Sequence, residues 1–111
     1  MNMIRDPHRK PTHPGEVLRE DVLPALGMTQ GALADRLGVG RVTVSELLLE
    51  KRALSTEMAL LLAKLLRAKP DVWLRMQLAY DLWEAERKSA EKIAAVKALP
   101  ASAIRGLDAA S

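Results

Sequence analysis

The sequence predicts an all-α fold, and three observations carry that reading. Apolar residues make up 49% of the chain, and with two Trp, one Tyr and no Phe they are mostly Leu, Ala, Val and Met. Leu, Ala and Met are good helix formers. Apolar positions recur at helical spacing, as at Val44, Leu47 and Leu48, and no alternating apolar run is long enough to argue for a strand.

The 111 residues amount to one small domain, enough for a modest core. Residues 1–13 read as a flexible basic arm, with Arg5, Arg9 and Lys10 against Asp6 and with Pro7 and Pro11 blocking regular structure. This segment is either a plain disordered tail or an arm that touches phosphate or a partner. Residues 14–88 read as the folded domain, and 89–111 as an Ala-rich, partly helical tail.

The first helix starts at Pro14, a favoured first-turn residue, with Glu16 near the positive end of the helix dipole. Val17, Leu18, Val22 and Leu26 make its apolar face, and Pro24 followed by Gly27 closes it. Thr29 offers an N-cap to a second helix, whose inward positions are Ala32, Leu33 and Leu37, and Gly38 ends it. A third helix follows after only Val39 and Gly40. Two short helices around a Gly-containing turn form a helix-turn-helix.

Ser55 caps a fourth helix with Met58, Ala59, Leu61, Leu62, Leu65 and Leu66 as apolar positions. A fifth starts near Pro70 and Asp71, after a short junction at Ala68 and Lys69. Beyond Glu84 the Ala-, Glu- and Lys-rich chain favours helix, with a thin stripe of Ile93, Val96 and Leu99 before Pro100 breaks it.

At about 100° per residue, Val44, Leu47 and Leu48 of the third helix share the core side. Val42, Ser45, Glu46 and Leu49 then face outward, with Arg41 at the N-terminal end. A recognition helix enters the major groove by its N-terminal half. The candidate base contacts are therefore Arg41, Val42, Thr43, Ser45 and Glu46. Arg41 suits a guanine edge, Val42 a thymine methyl, and Glu46 the amino group of cytosine. Gln30, Lys51 and Arg52 are candidate phosphate contacts. Taken alone, such a helix is equally an ordinary helix of a small core with solvated Arg, Thr and Ser.

The fifth helix is apolar nearly all round. Val72, Met76, Ala79 and Trp83 make one face, Trp73 with Tyr80 and Leu74 with Leu78 make others, so it needs more than one neighbour. A second copy is the expected user of one face, with Trp73, Leu74, Tyr80 and Trp83 as candidate dimer residues. The alternative is burial within one subunit under the tail.

Catalysis is not expected. There is no Cys, and the two His, His8 and His13, lie in the Pro-rich N-terminal segment. No phosphate loop, nucleophile motif or metal-ligand spacing is evident, so no catalytic residue, metal or cofactor is expected. His13 reads instead as a cap for the first helix, and Asp21, Asp35 and Glu57 as solvated helix residues. A net charge of +3 and a pI near 9.5 permit nucleic-acid binding without demanding it. With no signal peptide and no membrane span, a cytoplasmic protein is expected.

From His13 to about Arg87 the chain resembles the HigA-type antitoxins of bacterial toxin–antitoxin modules, within the Xre/Cro-like helix-turn-helix group. The resemblance rests on "HPGEVLREDVLPALGMTQGALADRLGV", "RVTVSELL", "KRALSTEMALLLAKLL" and "PDVWLRMQLAYDLWEA". It implies a five-helix Xre/Cro-like (lambda-repressor-like) helix-turn-helix domain that dimerises, with a C-terminal helical extension. It also implies binding to a palindromic operator at the protein's own promoter, repression of its operon, and neutralisation of a RelE-like ribonuclease toxin. By position, Gln30 matches the Gln that opens the family's second helix, and Arg41, Val42, Thr43 and Glu46 match its groove-facing residues.

Three local departures stand out. Gly40 replaces a usual Ser, Glu46 replaces a cation or neutral polar residue, and Leu49-Glu50 replaces a usual Asn-Gly turn. Leu49 and Glu50 tolerate positive φ poorly, so the third helix is expected to run longer and the loop after it to be reshaped. These departures leave a second function open: a toxin-binding module on the same scaffold with weak or lost operator binding. The arm and the Ala-rich tail are the candidate toxin contacts, because they lie outside the shared core.

Overall fold

The computed structural model describes residues 9–107; the expectations for Arg5, Asp6, Pro7 and His8 lie outside them. The described residues are helical, without a strand. Five helices form the core: α1 (residues 14–26), α2 (Gln30–Leu37), α3 (Arg41–Leu48), α4 (Thr56–Leu66) and α5 (Asp71–Lys88). Two short helices follow, α6 (Ala90–Ala95) and α7 (Ala101–Ile104).

The start of α1 explains the motif HPGEVL. His13 is the N-cap, and its Nδ1 accepts a hydrogen bond from the Gly15 N–H at 2.9 Å. Pro14 takes the first helical position, where no N–H is needed. A Cβ on Gly15 would collide with the Leu47 carbonyl, so α1 and α3 meet backbone to backbone. Pro24 lies inside the last turn of the helix, before the Gly27 that closes it. The turn Leu18–Val22 widens to a π-helix, with the Leu23 N–H bonded to the Leu18 carbonyl. Such a turn relieves the crowding that a proline ring imposes on the carbonyl four residues back. The helix continues to Leu26, and Gly27 ends it in the left-handed conformation at φ 60°.

Local chemistry sets most other ends as the sequence predicts. Thr29 Oγ1 accepts from the Ala32 N–H at 3.1 Å, and Ser55 Oγ from the Met58 N–H at 3.0 Å. Gly38 closes α2 at φ 71°. The inward residues of α2 are Leu33, Ala34 and Leu37, while Ala32 is only half-buried. The α4–α5 junction turns on Arg67, held left-handed at φ 54°, followed by Pro70, whose carbonyl accepts from the Trp73 and Leu74 N–H groups.

The core is aliphatic. Leu18, Leu33, Ala34, Val44, Leu47, Leu48, Ala59 and Leu62 are all but sealed from solvent, with Leu23, Leu54, Met58 and Trp73 around them. Two polar side chains are buried among the described residues, His13 at the start of α1 and Gln77. Gln77 on α5 accepts from the Leu54 N–H through Oε1 at 2.8 Å and donates through Nε2 to Asp81 at 2.8 Å. Gln77 thereby ties the loop after α3 to α5, and its amide oxygen and nitrogen each have a partner. The helix running from Asp71 stops at Lys88. Beyond it α6, α7 and the segment between them are exposed, including Ile93, Val96, Leu99 and Ile104.

Candidate nucleic-acid interface

The third helix faces as its period demands. Val44, Leu47 and Leu48 point into the core, each no more than 2% exposed, while Val42 is 69% exposed on the other side. Arg41 is exposed beside it, and Thr43, Ser45 and Glu46 are half-exposed. Gln30 is exposed at the first position of α2. The opening N–H groups of a helix lack intrahelical partners and carry partial positive charge, so this end of α2 suits a phosphate.

The Arg41 side chain does not stand straight out from α3. Its guanidinium lies across Gly31 in the first turn of α2, within 3.1–3.4 Å of where a Cβ would be. A Cβ at position 31 would press on it and shift it by about a few tenths of an ångström. This brings Arg41 and Gln30 to the same edge of the α2–α3 unit.

The turn after α3 corrects the expectation of a longer helix and a reshaped loop. α3 ends at Leu48, and Glu50 adopts the left-handed conformation at φ 62°. The Glu50 N–H donates to the Leu47 carbonyl at 3.0 Å and the Lys51 N–H to the Glu46 carbonyl at 2.8 Å. These two bonds make a Schellman cap, normally built on glycine. Arg19 on α1 supports it. Its Nη1 donates to the Leu48 carbonyl at 2.6 Å and lies 3.4 Å from the Glu50 carboxylate. A cation on an orphan carbonyl at a helix C-terminus is favourable.

The same turn carries Lys51, exposed, and Arg52, which folds back on α3. Arg52 Nη2 and Nε donate to Glu46 Oε1 at 2.7 and 3.1 Å. The acid on the reading face is thus matched by a cation from the adjoining turn. Sequence reading placed both residues on this surface but separately, since a pairing six residues apart depends on the turn between them.

The proposed dimer residues separate. Trp73 is 5% exposed in the single chain and packs in its core, so it offers little to a second copy. Tyr80 and Trp83 are half-buried, with Lys10 against both rings. The His13 ring meets Tyr80 edge-on at 4.8 Å, Lys10 Nζ lies 5.4 and 5.7 Å from the Tyr80 and Trp83 rings, and Arg87 lies 4.5 Å over Trp83. Leu74 is half-exposed and, with the exposed Leu78 and Leu82 at i+4 and i+8, makes an open apolar stripe along α5. Leu78 and Leu82 are the residues of that stripe missing from the predicted set.

Among the described residues no cluster of His, Asp and Glu is arranged to hold a metal, and no helix is long and apolar enough to cross a membrane.

Comparison with known proteins agrees with the fold. The helix-turn-helix family matches residues 18–73. The transcriptional regulator YbaQ of Escherichia coli (strain K12) is 46% identical over 78 residues, covering 70% of this chain and 69% of its own. Antitoxin HigA-1 of Vibrio cholerae is 38% identical over 96 residues, covering 86% of this chain and 90% of its own. The solved structure of antitoxin GraA in complex with its operator superposes with a TM-score of 0.77 at 39% identity, covering 87% of this chain and 98% of that one. With the motif, the five-helix core and the α2–α3 geometry all in agreement, the chain belongs to the HigA-type antitoxins of the Xre/Cro-like helix-turn-helix group.

Proposed function

We propose that this protein is a sequence-specific DNA-binding antitoxin that represses its own operon and neutralises a RelE-like ribonuclease toxin. The observation that carries the DNA half is the exposed N-terminal half of α3 beside the N-terminus of α2. Arg41, Val42, Thr43, Ser45 and Glu46 face the base edges of the major groove, and Gln30 and Lys51 reach flanking phosphates. The likeness to an antitoxin solved with its operator supports this reading.

A palindromic operator calls for two copies of the reading helix, about 34–36 Å apart. The open stripe of Leu74, Leu78 and Leu82 on α5 supports a homodimer, because a row of aliphatics left open to water gains from burial against its own copy. The exposed Ile93, Val96 and Leu99 of the tail favour a second reading, in which toxin binding dominates and operator binding is weak.

Fluorescence anisotropy with the duplex from upstream of the gene, a scrambled duplex as control, and two salt concentrations separates the readings. Tight, salt-dependent binding to the native duplex alone supports the repressor. Equal, weak binding to both duplexes moves the function to the protein partner.

A further inference from the structure

Glu46 is the one acid among the residues facing the groove, and a lone carboxylate there would be repelled by DNA phosphates. The structure holds it in a particular way. The Schellman turn reverses the chain after α3, with the Lys51 N–H locked onto the Glu46 carbonyl at 2.8 Å, and this returns Arg52 to the side of Glu46. Both Arg52 hydrogen bonds, at 2.7 and 3.1 Å, then fall on the same oxygen, Oε1. Oε2 keeps its lone pairs. Two residues on, the Leu54 N–H is fixed to Gln77, so the segment bearing Arg52 is anchored on both sides.

The side chains of Arg52 and Glu46 are 46% and 41% exposed, so the pair adds little to folding stability. Its consequence is for recognition. We infer that Arg52 is a positioning residue for base reading and not a phosphate contact. It cancels the charge of Glu46 and fixes its rotamer, leaving Oε2 to accept a hydrogen bond from an exocyclic amino group in the major groove. Cytosine N4 is the donor that suits a carboxylate. The planar fork of arginine, which donates through Nε and Nη2 together, is what a lysine in its place would lack. This inference rests on the DNA-reading proposed above and deepens it.

The test begins by selecting a preferred sequence from randomised duplexes with the wild-type protein. Affinity for that sequence and its single-base variants is then measured by anisotropy for wild type, Glu46→Gln, Arg52→Gln and the double variant, with circular dichroism confirming that each is folded. Glu46→Gln is expected to relax discrimination at one C·G pair per half-site by about 5- to 150-fold. Arg52→Gln is expected to weaken binding about tenfold or more while Glu46 is present, and by no more than about twofold when residue 46 is Gln. Equal losses in both backgrounds, with the salt slope reduced by about one, make Arg52 an independent phosphate contact and overturn the inference. So does base discrimination untouched by Glu46→Gln. A wild-type protein that enriches no sequence overturns the DNA-reading itself, and that failure shows before any variant is made.

Discussion

Gly15 and the carbonyl of Leu47 are in direct contact, so the N-terminus of α1 rests on the backbone of α3. A backbone carbonyl inside a helix cannot swing aside. Gly15→Ala is therefore expected to cost about 3 kcal/mol or more, despite the better helix propensity of alanine. Urea denaturation measures it, and a loss below about 1 kcal/mol would show that the two helices separate easily.

Gly31→Ala makes the opposite case. Here the obstruction is the Arg41 guanidinium, the far end of a flexible side chain. Stability should hold or rise by up to about 1 kcal/mol, because alanine is the better helix residue. DNA affinity should fall modestly, since the added methyl presses on the Arg41 guanidinium and shifts its resting place. Comparing melting temperature with anisotropy separates the two effects, and unchanged affinity would mean that the resting place of Arg41 is irrelevant to binding.

Among the described residues, two other than glycine sit in left-handed conformations, Glu50 at φ 62° and Arg67 at φ 54°. Each costs about 1–2 kcal/mol of local strain, partly offset in a Gly variant by the greater freedom of the unfolded chain. Arg67→Gly should gain about 0.5–1 kcal/mol. Glu50→Gly should gain less, because it also removes the contact with Arg19. Denaturation midpoints decide the order, and a larger gain at Glu50 would show that the Arg19 contact stabilises nothing.

His13 ties folding to pH. Burial pushes its pKa down, against Glu50, the Arg52 backbone, Asp81 and Glu84, all of which favour the cation. The neutral ring is also the one that caps α1, since Nδ1 must accept from the Gly15 N–H. The unfolded chain takes up this proton first as pH falls through about 6.5, so the unfolded state gains and the folded state does not. Stability from this group is full above that pH and declines until the folded imidazole titrates. His13→Asn keeps a capping acceptor without a titratable proton. Its stability should vary less than that of wild type between about pH 5 and 7, and parallel curves would remove His13 as the cause.

Leu78, 58% exposed on α5, tests the proposed dimer. Leu78→Glu should leave the fold intact while shifting sedimentation velocity from dimer to monomer. A dimer that persists would have to use another surface.

The elements legible in the sequence were those governed by neighbours in the chain. Thr29 and Ser55 cap because a hydroxyl reaches an amide three residues on, and Val44, Leu47 and Leu48 point inward by period alone. What escaped depends on distant partners. Gln77 is buried because the Leu54 amide, twenty-three residues away in sequence, requires an acceptor. Pro24 sits inside a helix because a π-helical turn precedes it, and Glu50 holds a glycine's conformation with Arg19 from another helix beside it. Trp73 was read as an interface residue because pattern alone does not say which of several apolar faces the chain keeps for itself.

The alternation along α3 has an evolutionary consequence. Val44, Leu47 and Leu48 hold the helix in place, while Val42, Thr43, Ser45 and Glu46 contribute little to the core. Substitutions at such outward positions shift stability by about 0.5 kcal/mol or less. On the DNA-reading proposed above, a lineage can therefore drift to a new operator by changing these residues while the scaffold stays folded at every step. Duplicated copies in one genome are in this way free to become insulated from each other's promoters.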